Sequence, residues 1–132
     1  MTRPLPVPDP RTAPYWEAAR NGTLSLPRCT ACGHYQFYPR PICSQCQSRD
    51  FAWTPCSGKG TVHSFTVVHR APSPAFADMV PYVVANIRLA EGAHLMSNVV
   101  NCTPQEVTIG MPVTVKFLHV DDATLPIFEP DR

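Results

Sequence analysis

Long apolar runs are missing from this chain of 132 residues, and no segment approaches the ~18 consecutive apolar residues of a membrane-spanning helix. Met1 to Pro10 holds four prolines, one basic residue and no apolar stretch, so it lacks the pattern of a secretory leader. Neither sign of charge is in excess. A formal net charge of +1 gives no general reason to bind nucleic acid or an anionic membrane. Also absent are Gly-x-Ser-x-Gly, His-Glu-x-x-His and a phosphate-cradling glycine loop. His34, His63, His69, His94 and His119 are scattered, and none forms a metal spacing with the acids. These absences point to a soluble, cytoplasmic protein without a membrane partner and with no catalytic constellation of its own.

Proline and cysteine are what the chain has. Sixteen prolines argue against long helices and for short strands joined by fixed-φ loops. Three regions separate: a proline-rich lead and short helix (1–22), a cysteine-rich ribbon (23–54) and a strand-rich remainder (55–132). In the first, Thr12 is placed to cap a helix begun by Pro14 and ended by Asn21-Gly22, with Tyr15, Trp16 and Ala19 on one face. That face needs a surface to cover it.

The third region reads as strands over Thr61–Val68, Tyr82–Leu89, His94–Val100, Val113–Leu118 and, more weakly, Leu125–Phe128. Ala90 to Ala93 makes a hairpin turn, and Thr103 caps one helical turn begun by Pro104. Five short strands with a small helix between the third and fourth match an OB-fold barrel; a sandwich fragment is the competing arrangement.

The second region carries Cys29-x-x-Cys32 and, after ten residues, Cys43-x-x-Cys46. Two intervening residues let a tight turn aim both sulfurs at one point, and two such knuckles supply a closed tetrahedral site. Gly33 suits the positive φ that a chain curling round a metal needs. The connection is expected to form a short hairpin carrying Tyr35, Phe37 and Tyr38. Four thiolates accept zinc or a mononuclear iron. Rubredoxins, the iron case, separate their pairs more widely and are acidic, so one structural zinc ion is favoured. Cys56 and Cys102 stand apart as small buried hydrophobes.

The ordered motifs resemble the zinc-ribbon/OB-fold proteins associated with acyl-CoA enzymes, a family of thiolase-partner accessory subunits long known as a domain of unknown function. The resemblance runs from Pro14 to Phe128 through Tyr15-Trp16-Glu17, Gly22-Thr23-Leu24, the two cysteine pairs, Gly58-Lys59-Gly60-Thr61, Pro81-Tyr82-Val83-Val84, Glu91-Gly92 and Ile109-Gly110-Met111-Pro112-Val113. It implies a mainly β chain, with a short helix and rubredoxin-like zinc ribbon before a five-stranded OB-fold barrel. It also implies a non-catalytic subunit in a heteromeric thiolase- or aldolase-type complex, or with a hydratase. Such complexes act on CoA thioesters in lipid or sterol metabolism, including steroid degradation. Arg40, Lys59, Arg70 and Arg88 are then the candidates to meet CoA phosphates, and Phe76 a candidate contact to partner or CoA. The bland reading is a solvated surface charge for each basic residue and a barrel-closing side chain for Phe76.

Two other functions compete. OB barrels also bind single-stranded nucleic acid, which needs a basic groove with stacking aromatics. Here Lys59, Arg70, Arg88 and Lys116 face Asp78, Glu91, Glu106, Asp121, Asp122 and Glu129, so the barrel is net acidic before the terminal Asp131-Arg132. An independent enzyme or electron carrier is the third reading; turnover or an iron-type absorbance would reveal it.

Overall fold

The computed structural model describes residues 6–7, 9–37, 39–120 and 123–131. Among these residues one helix, α1 (Ala13–Arg20), leads to seven strands: β1 (Ser25–Cys29), β2 (Phe51–Pro55), β3 (Lys59–Val68), β4 (Tyr82–Leu89), β5 (His94–Val99), β6 (Pro112–Val120) and β7 (Ala123–Pro130). Single 3₁₀ turns lie at Pro74–Phe76 and Pro104–Glu106. No helix among the described residues is long and apolar enough to cross a membrane.

The start of α1 differs from the expectation. Thr12 occupies the capping position but makes no capping bond with its side chain. The Asp9 carboxylate instead accepts from the backbone N–H groups of Arg11 (2.8 Å) and Thr12 (2.9 Å), a local turn that sets the chain's approach. Those amides hold the Asp9 pKa below its usual value, Thr12's contributing most. Tyr15 and Ala19, one turn apart, are buried, and the helix packs on both β1 and β7. The apolar face is therefore covered within the chain.

β3 to β7 close a barrel in the order β3-β4-β5-β7-β6, with β6 returning to β3. β4 shows why: Val83, Ala85, Ile87 and Leu89 are buried at every second position, as in a strand with one face on a core. Val62, Leu95, Val113 and Phe128 fill the interior with them. Burying each such large side chain contributes roughly 1.5–3 kcal/mol. The final strand is longer than its sequence suggested. It pairs with β6 from Val120↔Ala123 back to Val113↔Pro130, and Val99↔Phe128 adds a parallel contact to β5. Pro126 and Pro130 obscured it.

Gly58 sits where the ribbon hands over to the barrel. Its φ is +78°, and a Cβ there would lie 2.4 Å from Cγ1 of Val115. Only glycine fits both conditions. Tyr15, Leu24 and Leu26 join the barrel residues in one continuous apolar cluster, so helix, ribbon and barrel share a core.

Candidate metal centre

β1 and β2 form the ribbon's sheet, antiparallel from Ser25↔Pro55 to Cys29↔Phe51. β1 thus runs into the first cysteine pair and β2 leaves the second. This corrects one expectation: the described residues between the pairs form no hairpin of their own and contribute one isolated bridge, Arg28↔Tyr35. Tyr38, expected in that hairpin, lies outside the described residues. Ten residues containing Pro39 and Pro41 supply too few paired amides for a second ladder.

The two knuckles repeat one hydrogen-bond pattern. Cys29 donates its N–H to His34 O and accepts at its carbonyl from Gly33 N; Cys43 donates to Ser48 O and accepts from Gln47 N. All four bonds span 2.8–2.9 Å. Gly33 (φ 80°) and Gln47 (φ 66°) take the same left-handed conformation one residue past each pair. Thr30 ties the first knuckle to the second arm through Asp50 O, at 2.9 Å from its N–H and 3.2 Å from its hydroxyl.

These turns aim the Sγ atoms of Cys29, Cys32, Cys43 and Cys46 to within 4.8 Å of one another. Cys29 and Cys46 approach to 3.5 Å, and Cys32 and Cys43 to 3.6 Å. A zinc ion with sulfurs at 2.3 Å has tetrahedral S–S edges of about 3.8 Å, so the cluster has the right size for one ion. Cys29 and Cys43 are buried, while Cys32 and Cys46 are exposed. The centre sits at the ribbon's tip with one side toward solvent.

The backbone already favours charge on two of the sulfurs. The N–H of Cys32 is the largest influence on Cys29 and, with that of Ala31, brings its pKa down to about 6 against the effect of burial. The N–H of Cys46 leads in lowering Cys43, and Gln45 N–H, 3.4 Å from the sulfur, helps. For Cys46 the N–H of Ser48 favours the thiolate, yet the Cys29 sulfur, burial and the other sulfurs push it up to about 12. Cys32 is raised as well, its His34 N–H outweighed by burial and by the Cys43 and Cys29 sulfurs. Four thiolates this close repel; a dication at their centre resolves the conflict and would hold all four deprotonated.

Other candidate residues do not converge on one point. Lys59 and Arg88 line a shared hollow of about 520 Å³, but Lys59 is paired with Asp131 at 3.2 Å. Arg40 lines a groove of about 740 Å³ with Arg11, Phe51 and Trp53, and a second hollow with Phe37, Asn86, His94 and Met96. Arg70 and Phe76 lie on the loop between β3 and β4, where the Phe76 ring centroid is 6.3 Å from that of Tyr82. Arg11, Phe51 and Trp53 were missed in the sequence, because only folding brings the lead and the ribbon strand together. Cys56 and Cys102 are partly buried against the core. Burial, then the nearby Glu91 charge, pushes the Cys56 thiol up to about 11.

Residues 16–52 match the family described as ChsH2, rubredoxin-like zinc ribbon domain, and residues 53–118 match ChsH2, C-terminal OB-fold domain. The chain belongs to the ChsH2 zinc-ribbon/OB-fold family. Within this family it is 41% identical, over 72% of its length, to a DUF35 domain-containing scaffold protein of Methanocaldococcus jannaschii, 67% of which it covers. It is 40% identical, over 97% of its length, to a probable enoyl-CoA hydratase alpha subunit of Thermomonospora curvata. Identity is 35% over the full chain with the 3-oxo-4,17-pregnadiene-20-carboxyl-CoA hydratase alpha subunit of Mycobacterium tuberculosis. The chain spans only 40% and 41% of the lengths of these two hydratase subunits. Among solved structures, a chain of the Ltp2-ChsH2(DUF35) aldolase superposes with a TM-score of 0.85 at 39% identity, covering 96% of this chain and 98% of that one. The fold is the expected one: a ChsH2-type ribbon, with four cysteines positioned for one metal ion, before a closed five-stranded barrel.

Proposed function

We propose that this chain is a non-catalytic accessory subunit of a thiolase-like or hydratase enzyme acting on CoA thioesters in lipid or sterol metabolism, in the cytoplasm. Residues 1–22 are its lead and helix, 23–54 its ribbon and 55–132 its barrel. Cys29, Cys32, Cys43 and Cys46 bind one zinc ion that is structural, because four protein thiolates leave no open coordination position. The observation that carries this reading is the near-complete superposition on a chain of the Ltp2-ChsH2(DUF35) aldolase.

In this reading the partner supplies the nucleophile and this chain supplies surface. The groove holding Arg11, Arg40, Phe51 and Trp53 has the chemistry to receive part of a CoA ester, with guanidinium groups for phosphate and aromatic faces for adenine. Lys59, Arg70, Phe76 and Arg88 are the further candidate contacts to partner or CoA.

Co-expression with a thiolase-like enzyme from the same host tests the proposal. A stable heteromer on size-exclusion chromatography, with turnover greater than that of the enzyme alone, is the expected result. A monomer that neither binds nor alters any acyl-CoA enzyme of its host contradicts it.

A further inference from the structure

The knuckles are alike in their backbone, yet among the described residues a buried side chain from across the ribbon grips the second of them. Gln36 stands in the segment between the cysteine pairs, 5% exposed, with its own N–H bonded to Pro27 O of β1 at 3.0 Å. Its side-chain amide reaches the second knuckle. The Oε1 atom accepts from Ser44 N–H at 3.1 Å, and Nε2 donates to Ile42 O at 3.4 Å. These partners flank Cys43, which is fully buried. They also fix which end of the amide is which, because a backbone N–H only donates and a carbonyl only accepts.

We infer that Gln36 is a positioning residue of the metal centre, one that clamps the backbone on both sides of Cys43 and so sets where the second pair of sulfurs stands relative to the first. Three observations support this. The clamp joins β1, the strand that ends at Cys29, to the knuckle that begins at Cys43, so it spans the two halves of the site by a route independent of the sulfurs. It engages Ser44 N–H and leaves Gln45 N–H to reach the Cys43 sulfur at 3.4 Å. And the Gln36 side chain is itself buried, so these two bonds are the use its amide is put to. The described residues between the pairs contribute one isolated bridge and a few backbone bonds to β1, and the Gln36 side chain adds the link from there to the second knuckle. Groups that orient metal ligands in this way typically change affinity 10–100-fold when removed.

The inference rests on the metal-binding reading, and the test separates the two. Zinc-loaded full-length chain is mixed with a chromophoric chelator, and the release rate is followed for wild type, Gln36→Met, Gln36→Glu and Ile109→Gln. Gln36→Met keeps the volume and loses both bonds, so release should accelerate about tenfold or more. Gln36→Glu keeps the acceptor for Ser44 N–H and should lie between the two. Ile109→Gln, at a residue 72% exposed and outside the ribbon, should match wild type. A cobalt-loaded Gln36→Met chain should also show altered ligand-field bands, a change that a general loss of stability would not produce. If Gln36→Met does not fold, the cobalt spectrum and release rate of Gln36→Glu carry the test, and wild-type values there overturn the inference. So does wild-type release with an unchanged cobalt spectrum in Gln36→Met. A wild-type chain that takes up no metal overturns the metal-binding reading itself, and the inference with it.

Discussion

Gly33 and Gln47 occupy equivalent positions in the two knuckles: each donates its N–H to the carbonyl of the first cysteine of its pair, and each has a left-handed backbone, at φ 80° and 66°. Glycine adopts that conformation without steric cost, whereas glutamine does not. Replacing Gln47 by glycine should therefore stabilise the zinc-loaded ribbon by about 0.5–1 kcal/mol, less the extra freedom glycine gives the unfolded chain. The reverse change, Gly33→Gln, should destabilise it. Denaturant midpoints of the two variants, compared with wild type, check both signs.

Removing one ligand should separate ribbon from barrel. Cys29→Ser or Cys46→Ser leaves three thiolates, and the binding energy that folds a small zinc site is lost with the metal. Expected outcomes are less than one zinc per chain by elemental analysis and fast amide exchange across 25–55. Strands β3 to β7 should stay protected, because they pair with one another in a closed barrel around Val62, Ile87, Val113 and Phe128.

Tyr15 links helix to core, its ring centroid 4.9 Å from Trp16 and 5.5 Å from Phe37. Burial raises the pKa of its hydroxyl well above the ordinary tyrosine value. Because the folded pKa is raised, the associated stability is fully present below the unfolded value of about 10 and declines as pH rises beyond it. Wild type should thus lose more stability between pH 9 and pH 11 than Tyr15→Phe does, measured as the shift in urea midpoint.

Gly58→Ala tests the hand-over from ribbon to barrel. The new methyl would meet Val115 at 2.4 Å on a backbone of φ +78°. A cost of roughly 2–4 kcal/mol is expected, from strain and overpacking together. Thermal unfolding of the variant measures it.

Much of this was legible in the residues. Period-two patterning at Tyr82–Leu89 and the turn at Glu91-Gly92 gave the central hairpin, and the cysteine spacing gave the metal centre. What stayed hidden depends on long-range contact. Asp9 replaces Thr12 as the group that orders the approach to α1, because its carboxylate is geometrically free to turn back on the chain. β7 gains length from its partner β6 despite Pro126 and Pro130, since ladder pairing overrides weak local propensity. Gln36, between two aromatics, carries no spacing signal at all. Its role follows from a fold that sets Pro27 on one side of it and Cys43 on the other.

In the proposed function the zinc site is scaffolding for a subunit that works in a heteromeric acyl-CoA enzyme. Native mass spectrometry of the tagged chain, captured from its own host, tests it most directly. The expected assembly has a mass equal to this chain with one zinc ion each, joined to a thiolase-like or hydratase subunit. A metal-free chain running alone would contradict it.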